Sequence, residues 1–70
     1  MKISLIGEKI KRLREDANLS QIEVAEYAGI GSDYLSRLES GKKPNVGIIP
    51  AAYIAHRLGV TVDDLLKKEA

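Results

Sequence analysis

Few residues in this chain suit covalent or metal chemistry. It has no cysteine and a single histidine, His56. A lone imidazole with no thiol or second histidine beside it is a surface side chain by default, not a metal ligand. Asp63 and Asp64 form an adjacent carboxylate pair. They follow Thr61 at the start of a short periodic run, where acids sit well against a helix dipole. No Ser/His/Asp set and no nucleotide-binding glycine loop occurs. The expectation is a non-enzyme with no catalytic residues, no metal and no cofactor. What remains is a run of hydrogen-bonding groups: Ser32, Asp33, Tyr34, Ser36 and Arg37, with Lys42 and Lys43 shortly after. Hydroxyls, one carboxylate and a guanidinium fork recognise a partner through hydrogen bonds and charge; they do not make or break its bonds.

The elements that position these residues must be small. Seventy residues make one domain, 1–70, with its core expected between about residues 6 and 66. With three Tyr, no Phe and no Trp, the core must be Leu, Ile, Val and Ala, which suits packed helices. Eleven basic and ten acidic residues leave a net charge of +1. That balance neither demands nor excludes a polyanionic partner, so the argument rests on where the charges lie. No apolar run approaches the length of a signal peptide or a membrane span. A cytoplasmic protein without membrane contact is expected, and no small-molecule ligand is evident.

Periodicity gives five short helices and no convincing strand. Ile6, Ile10, Leu13 and Ala17 form the first stripe, and Asn18 is a plausible stop. Ser20 and Glu23 form a capping box for the second helix, to which Ile22, Val24, Ala25 and Ala28 supply apolar contacts. The stretch EYAGIGSDYLSR, Glu26 to Arg37, then holds two glycines around Ile30. Gly29 ends the second helix as a left-handed cap. Gly31 starts the third, which runs from about Ser32 to Ser40 and closes at Gly41. Lys42 to Asn45 form a loop. Pro50 fits the first turn of a fourth helix, whose inner stripe is Ala51, Ile54, Ala55 and Leu58. Thr61 and Asp64 open a last short helix, with Lys67 and Lys68 at its end. Tyr27, Tyr34 and Tyr53 are most simply half-buried packing residues.

The second and third helices carry a recognisable spacing. Counting from Gln21, a small residue falls fifth (Ala25), a glycine ninth (Gly29), and leucines fifteenth and eighteenth (Leu35, Leu38). A steep helix crossing needs the small side chain, and the tight turn needs a residue at ease with positive φ. This is the pattern of a helix-turn-helix. With Leu35 and Leu38 inward, steps of ~100° turn Asp33, Ser36, Arg37 and Ser40 outward, with Ser32 and Tyr34 at the flanks.

The blocks IGEKIKRLRE, LSQIEVAEYAGI, YLSRLESGKKP and IAHRLGVTVDDLL occur in this order. Together they resemble the lambda-repressor/Cro-like helix-turn-helix family, also called the XRE family, over nearly the whole chain. The resemblance implies an all-α, compact five-helix DNA-binding domain. It further implies a sequence-specific transcriptional regulator of repressor type, binding a two-fold operator in double-stranded DNA through the major groove. In that frame Gln21 meets a phosphate, and Ser32 and Asp33 are the first base-reading side chains. Ser36 and Arg37 follow one turn on, and Lys42 and Lys43 contact the backbone. Tyr34 is a further phosphate contact. Arg14 and Glu39 match positions that form a partly buried ion pair in related repressors. Homodimerisation through the C-terminal half is expected, with Ile48, Ile49, Tyr53, Val60, Leu65 and Leu66 available.

Three features depart from the family pattern. Gly31 replaces the usual Ser or Thr cap. The third helix carries an acid and lacks a Gln or Asn to read adenine. The segment from Pro44 to Leu58 is longer than usual, so a longer connection before the fourth helix is expected. The rival function is a protein-interaction module of the same fold, with a toxin or polymerase as partner and little or no DNA binding. Asp33 and the balanced charge give that rival its weight.

Overall fold

Two helices begin on reciprocal caps. Ser20 Oγ accepts from the Glu23 N–H at 3.0 Å, and Glu23 Oε1 accepts from the Ser20 N–H at 3.2 Å. Thr61 and Asp64 repeat the arrangement at 3.2 and 3.0 Å. Each cap stabilises its helix by ~1 kcal/mol, which matters in a chain too small for a large core. The computed structural model describes residues 2–42 and 45–67. It contains α1 (Gly7–Asp16), α2 (Gln21–Ala28), α3 (Ser32–Ser40), α4 (Ile48–Leu58) and α5 (Val62–Leu65). Lys43, Pro44 and Lys68, on which parts of the sequence reading fall, lie outside the described residues.

The five helices match expectation, but two short strands were not foreseen. β1 (Lys2–Ser4) pairs antiparallel with β2 (Asn45–Gly47), in the register Lys2–Gly47, Ile3–Val46, Ser4–Asn45. The Ser4 hydroxyl also donates to Asn45 Oδ1 at 2.7 Å. On the other side, Ile6 N–H donates to the Leu65 carbonyl at 2.8 Å and Lys67 N–H to the Ser4 carbonyl at 2.9 Å. The chain start is thus held between the segment after α3 and the segment after α5. Three-residue strands are too short to show a period of two, and their stability comes from partners about 40 residues away in the chain. The long connection expected before the fourth helix is taken up here. Val46 is buried in the core, and α4 starts at Ile48, with Pro50 in its first turn where the missing N–H costs nothing.

The core is aliphatic. Ile10, Val24, Leu35, Leu38, Val46, Ile54 and Leu65 are its largest fully buried side chains, and Ala25, Ala51 and Ala55 are buried with them. Some expectations fail in detail. On α1 the inward residues are Gly7, Ile10 and Arg14, so the stripe is rotated from the one assigned: Ala17 is exposed and Ile6 is 38% exposed. Ile22 does not join the core and stands 58% exposed. Of the residues offered for dimer contact, Leu65 is core, while Val60 and Leu66 pack against it. Ile48, Ile49 and Tyr53 remain exposed.

Packing of α1 on α3 depends on two features. Gly7 lies against α3 so closely that an added Cβ would overlap the Leu38 carbonyl oxygen. Further along, Arg14 Nε donates to Glu39 Oε2 at 2.7 Å and Nη2 to Oε1 at 3.0 Å, a bidentate pair. Arg14 Nη1 donates to the Leu19 carbonyl at 2.8 Å. The pair is buried, at 10% and 3% side-chain exposure. Bonding to Glu39 pushes the Arg14 pKa above its ordinary value against the opposing effect of burial, and the charges of Glu39 and Glu15 add to the rise. A raised pKa means Arg14 gives up its charge only in strong alkali, so it stays charged wherever the protein is handled.

Two outcomes follow for urea unfolding. Gly7→Ala should cost about 1–3 kcal/mol, because the neighbour it meets is backbone and cannot rotate away. Arg14→Met should cost about 3–5 kcal/mol by stranding a buried carboxylate, whereas Arg14→Met with Glu39→Met should stay near wild type. A domain of this size holds only ~4–10 kcal/mol in all, so the single variant should melt near room temperature. Equal stability of the single and double variants would show that burial of the unpaired charge is not what matters.

Candidate nucleic-acid interface

The turn between α2 and α3 is built on Gly29, whose φ of +71° is the left-handed conformation expected of it. Ile30 N–H then donates to the Ala25 carbonyl at 3.0 Å, closing α2 as its chain turns inward. Gly31 caps α3 in extended conformation without a side-chain hydrogen bond. Ala25 is 1% exposed, Leu35 0% and Leu38 2%. These three fix which face of α3 is free.

That free face agrees with the periodicity. Asp33, Ser36, Arg37 and Ser40 are exposed, and Ser32 and Tyr34 are half-buried. Tyr34 packs its ring against the core edge. Ser40 Oγ donates to the Arg37 carbonyl at 3.1 Å, so its hydroxyl serves its own helix. No ion pair among the described residues holds the Arg37 guanidinium. Asp33 lies in the first turn of α3, where its charge also favours the helix dipole. Lys42 is exposed just beyond Gly41, and Lys43 lies outside the described residues.

Gln21 is the first residue of α2. The first intrahelical bond there is Val24 N–H to the Ser20 carbonyl at 3.3 Å, and Ser20 Oγ takes the Glu23 N–H. The N–H groups of Gln21 and Ile22 therefore stand outside the helix ladder, as in any helix start. The Gln21 side chain is half-buried, and its Nε2 donates to Glu39 Oε1 at 2.9 Å. This bond was not foreseen. The partners are 18 residues apart on different helices, and no local spacing signals them. One carboxylate thus receives donors from α1 and α2 while belonging to α3.

A second surface lies where α2 meets α4. Tyr27, Ile48, Ile49, Ala52, Tyr53 and His56 line an open groove of about 620 Å³. Tyr27 Oη and His56 Nδ1 are 2.6 Å apart with their rings stacked, and Tyr53 meets Tyr27 edge-on. Tyr27 and Tyr53 are 42% and 49% exposed, more than packing residues would be. His56 is a surface imidazole, as read, but one engaged by Tyr27. Among the described residues no group of three or more His, Cys, Asp or Glu is placed to hold a metal. None of the described helices is long and apolar enough to cross a membrane.

A helix-turn-helix family model matches residues 10–65. The HTH-type transcriptional regulator SinR of Bacillus licheniformis is 34% identical over 65 residues. That match covers 93% of this chain and 59% of the relative, so the chain spans rather more than half of that protein's length. Among solved structures, the N-terminal DNA-binding domain of SinR from Bacillus subtilis superposes with a TM-score of 0.80 at 33% identity, covering 90% of this chain and 91% of that one. The structure of SinR in complex with DNA matches at a TM-score of 0.76 and 34% identity, over 84% and 94% of the two chains. The matched region holds α2, the Gly29 turn and α3 together. The chain belongs to the lambda-repressor/Cro-like helix-turn-helix (XRE) family.

Proposed function

We propose that this chain is a sequence-specific DNA-binding transcriptional regulator of repressor type. The observation that carries the reading is α3, fastened by Leu35 and Leu38 and presenting Asp33, Ser36 and Arg37 to solvent. In the major groove, Arg37 pairs bidentately with a guanine, and Asp33 accepts from a cytosine amine. Asp33 also repels phosphates, which disfavours a shifted docking that would bring it onto the backbone. Ser32 and Ser36 donate to bases or phosphates. Gln21 and the first amides of α2 hold one phosphate, Tyr34 another, and Lys42 with Lys43 the backbone beyond α3.

A two-fold operator calls for a second copy of the chain, and the α4 face is the surface we assign to it. Ile48, Ile49 and Tyr53 leave apolar area exposed there, on a lining free of formal charge. Two copies placed face to face would oppose no like charges. α2 packs on both α3 and α4. A dyad against α4 must set the two copies of α3 about one duplex turn, ~34 Å, apart. The same groove and the exposed Asp33 are what favour the second reading, a protein-interaction module. Selection from random duplexes that yields no enriched site would support that reading against ours.

Two sets of variants test the assignments on a selected site. Arg37→Ala should relax preference at one base pair by about 1–3 kcal/mol, while Lys42→Ala should weaken all sequences alike and lower the salt slope by about 1. Identical profiles across a sequence library would erase this division of roles. Ile49 is 67% exposed, so Ile49→Asp should leave the monomer folded. It should abolish dimers in sedimentation and cooperative binding to a two-fold site. A variant that dimerises like wild type would remove α4 from the interface.

A further inference from the structure

Glu39 does more than neutralise Arg14. A carboxylate has about four acceptor sites. Arg14 uses one on each oxygen, and Gln21 Nε2 uses another on Oε1. The third bond adds nothing to the contact between α1 and α3; it reaches the first residue of α2. It also dictates which way the amide points. A Gln21 carbonyl turned toward Glu39 would set acceptor against acceptor, so the nitrogen faces inward. One N–H of Nε2 is then committed, and the direction of the other is fixed.

We propose that Glu39 is a positioning residue for DNA binding. It holds the Gln21 amide so that the second Nε2 proton joins the N–H groups of Gln21 and Ile22 in donating to one phosphate. This rests on the reading of α2's first turn as a phosphate anchor. Glu39 sits in the last turn of α3, two residues after Arg37. The anchor on the backbone and the helix in the groove therefore meet at one carboxylate. A glutamine held before DNA arrives avoids the ordering cost of a mobile side chain, worth about 2- to 12-fold in affinity.

The test compares duplex affinity for the full chain as wild type, Gln21→Met, Arg14→Met/Glu39→Met, and the triple variant, on one selected site. The Arg14/Glu39 double variant should fold, keep the wild-type base preference, and bind 2- to 12-fold more weakly. In the Gln21→Met background the same pair of substitutions should cost nothing further. Phosphate ethylation should show the interference at one phosphate weakened by either change, the rest intact. A purely structural role predicts equal losses with and without Gln21 and a changed base preference, and that result overturns the proposal. So does wild-type affinity in Gln21→Met or in the double variant. Should the double variant not fold, side-chain ¹⁵N relaxation of Gln21 in the wild-type protein without DNA decides: an amide as ordered as the backbone supports the proposal, and a mobile one overturns it. Protein that selects no duplex at all defeats the DNA reading itself, whereas additive losses on a bound duplex defeat only the role of Glu39.

Discussion

A buried carboxylate must be paired, and in this chain the pairing of Glu39 constrains everything around it. Its partners come from two other helices: Arg14 on α1 and Gln21 on α2. Such a pair is weak evidence for stability, since desolvating two charges offsets most of their attraction. It is stronger evidence for geometry. A bidentate guanidinium tolerates little change in distance or angle. With Arg14 also donating to the Leu19 carbonyl, the turn leading into α2 is tied to the same centre. The close approach at Gly7 serves this arrangement, because α1 must lie almost in backbone contact with α3 where Gly7 meets Leu38. Only glycine allows that at no cost.

The rest of the fold shows how a small domain compensates for a small core. Two capping boxes satisfy amides that would otherwise be left to water. The two short strands do comparable work for the chain start. β1 pairs with β2 on one side, and the residues around Leu5 bond to the segment from Leu65 to Lys67 on the other. A two-stranded ribbon is marginal by itself. Here Ile3 and Val46 face the helical core, so the ribbon is held by packing as well as by its ladder.

What the sequence disclosed divides along the distance between interacting residues. The caps at Ser20 and Thr61, the left-handed turn at Gly29 and the inward leucines of α3 depend on neighbours within a few positions, and all were legible. The exposed face of α3 followed from them. The Arg14–Glu39 pair was legible only through family resemblance, since no period links residues on separate helices. Four features had no local signal. β1 is too short to show alternation. Gly7 looks like any glycine until α3 is placed on it. Ile22 looks like a core residue until the axis of α2 fixes which side is covered. The bond between Gln21 and Glu39 exists only once three helices have met. The site was therefore legible as a set of side chains but not as a rigid object.

That rigidity matters because the chain has little charge to draw on. With a net charge of +1, general attraction to a polyanion is weak. On the DNA-binding reading proposed above, affinity would have to come from a few donors already aimed at the duplex, since each donor that needs ordering on contact loses part of its contribution. α2 packs on both α3, which carries the exposed polar face, and α4, which lines the apolar groove. In this molecule α1, α2 and α3 are fastened to one another at the buried carboxylate of Glu39.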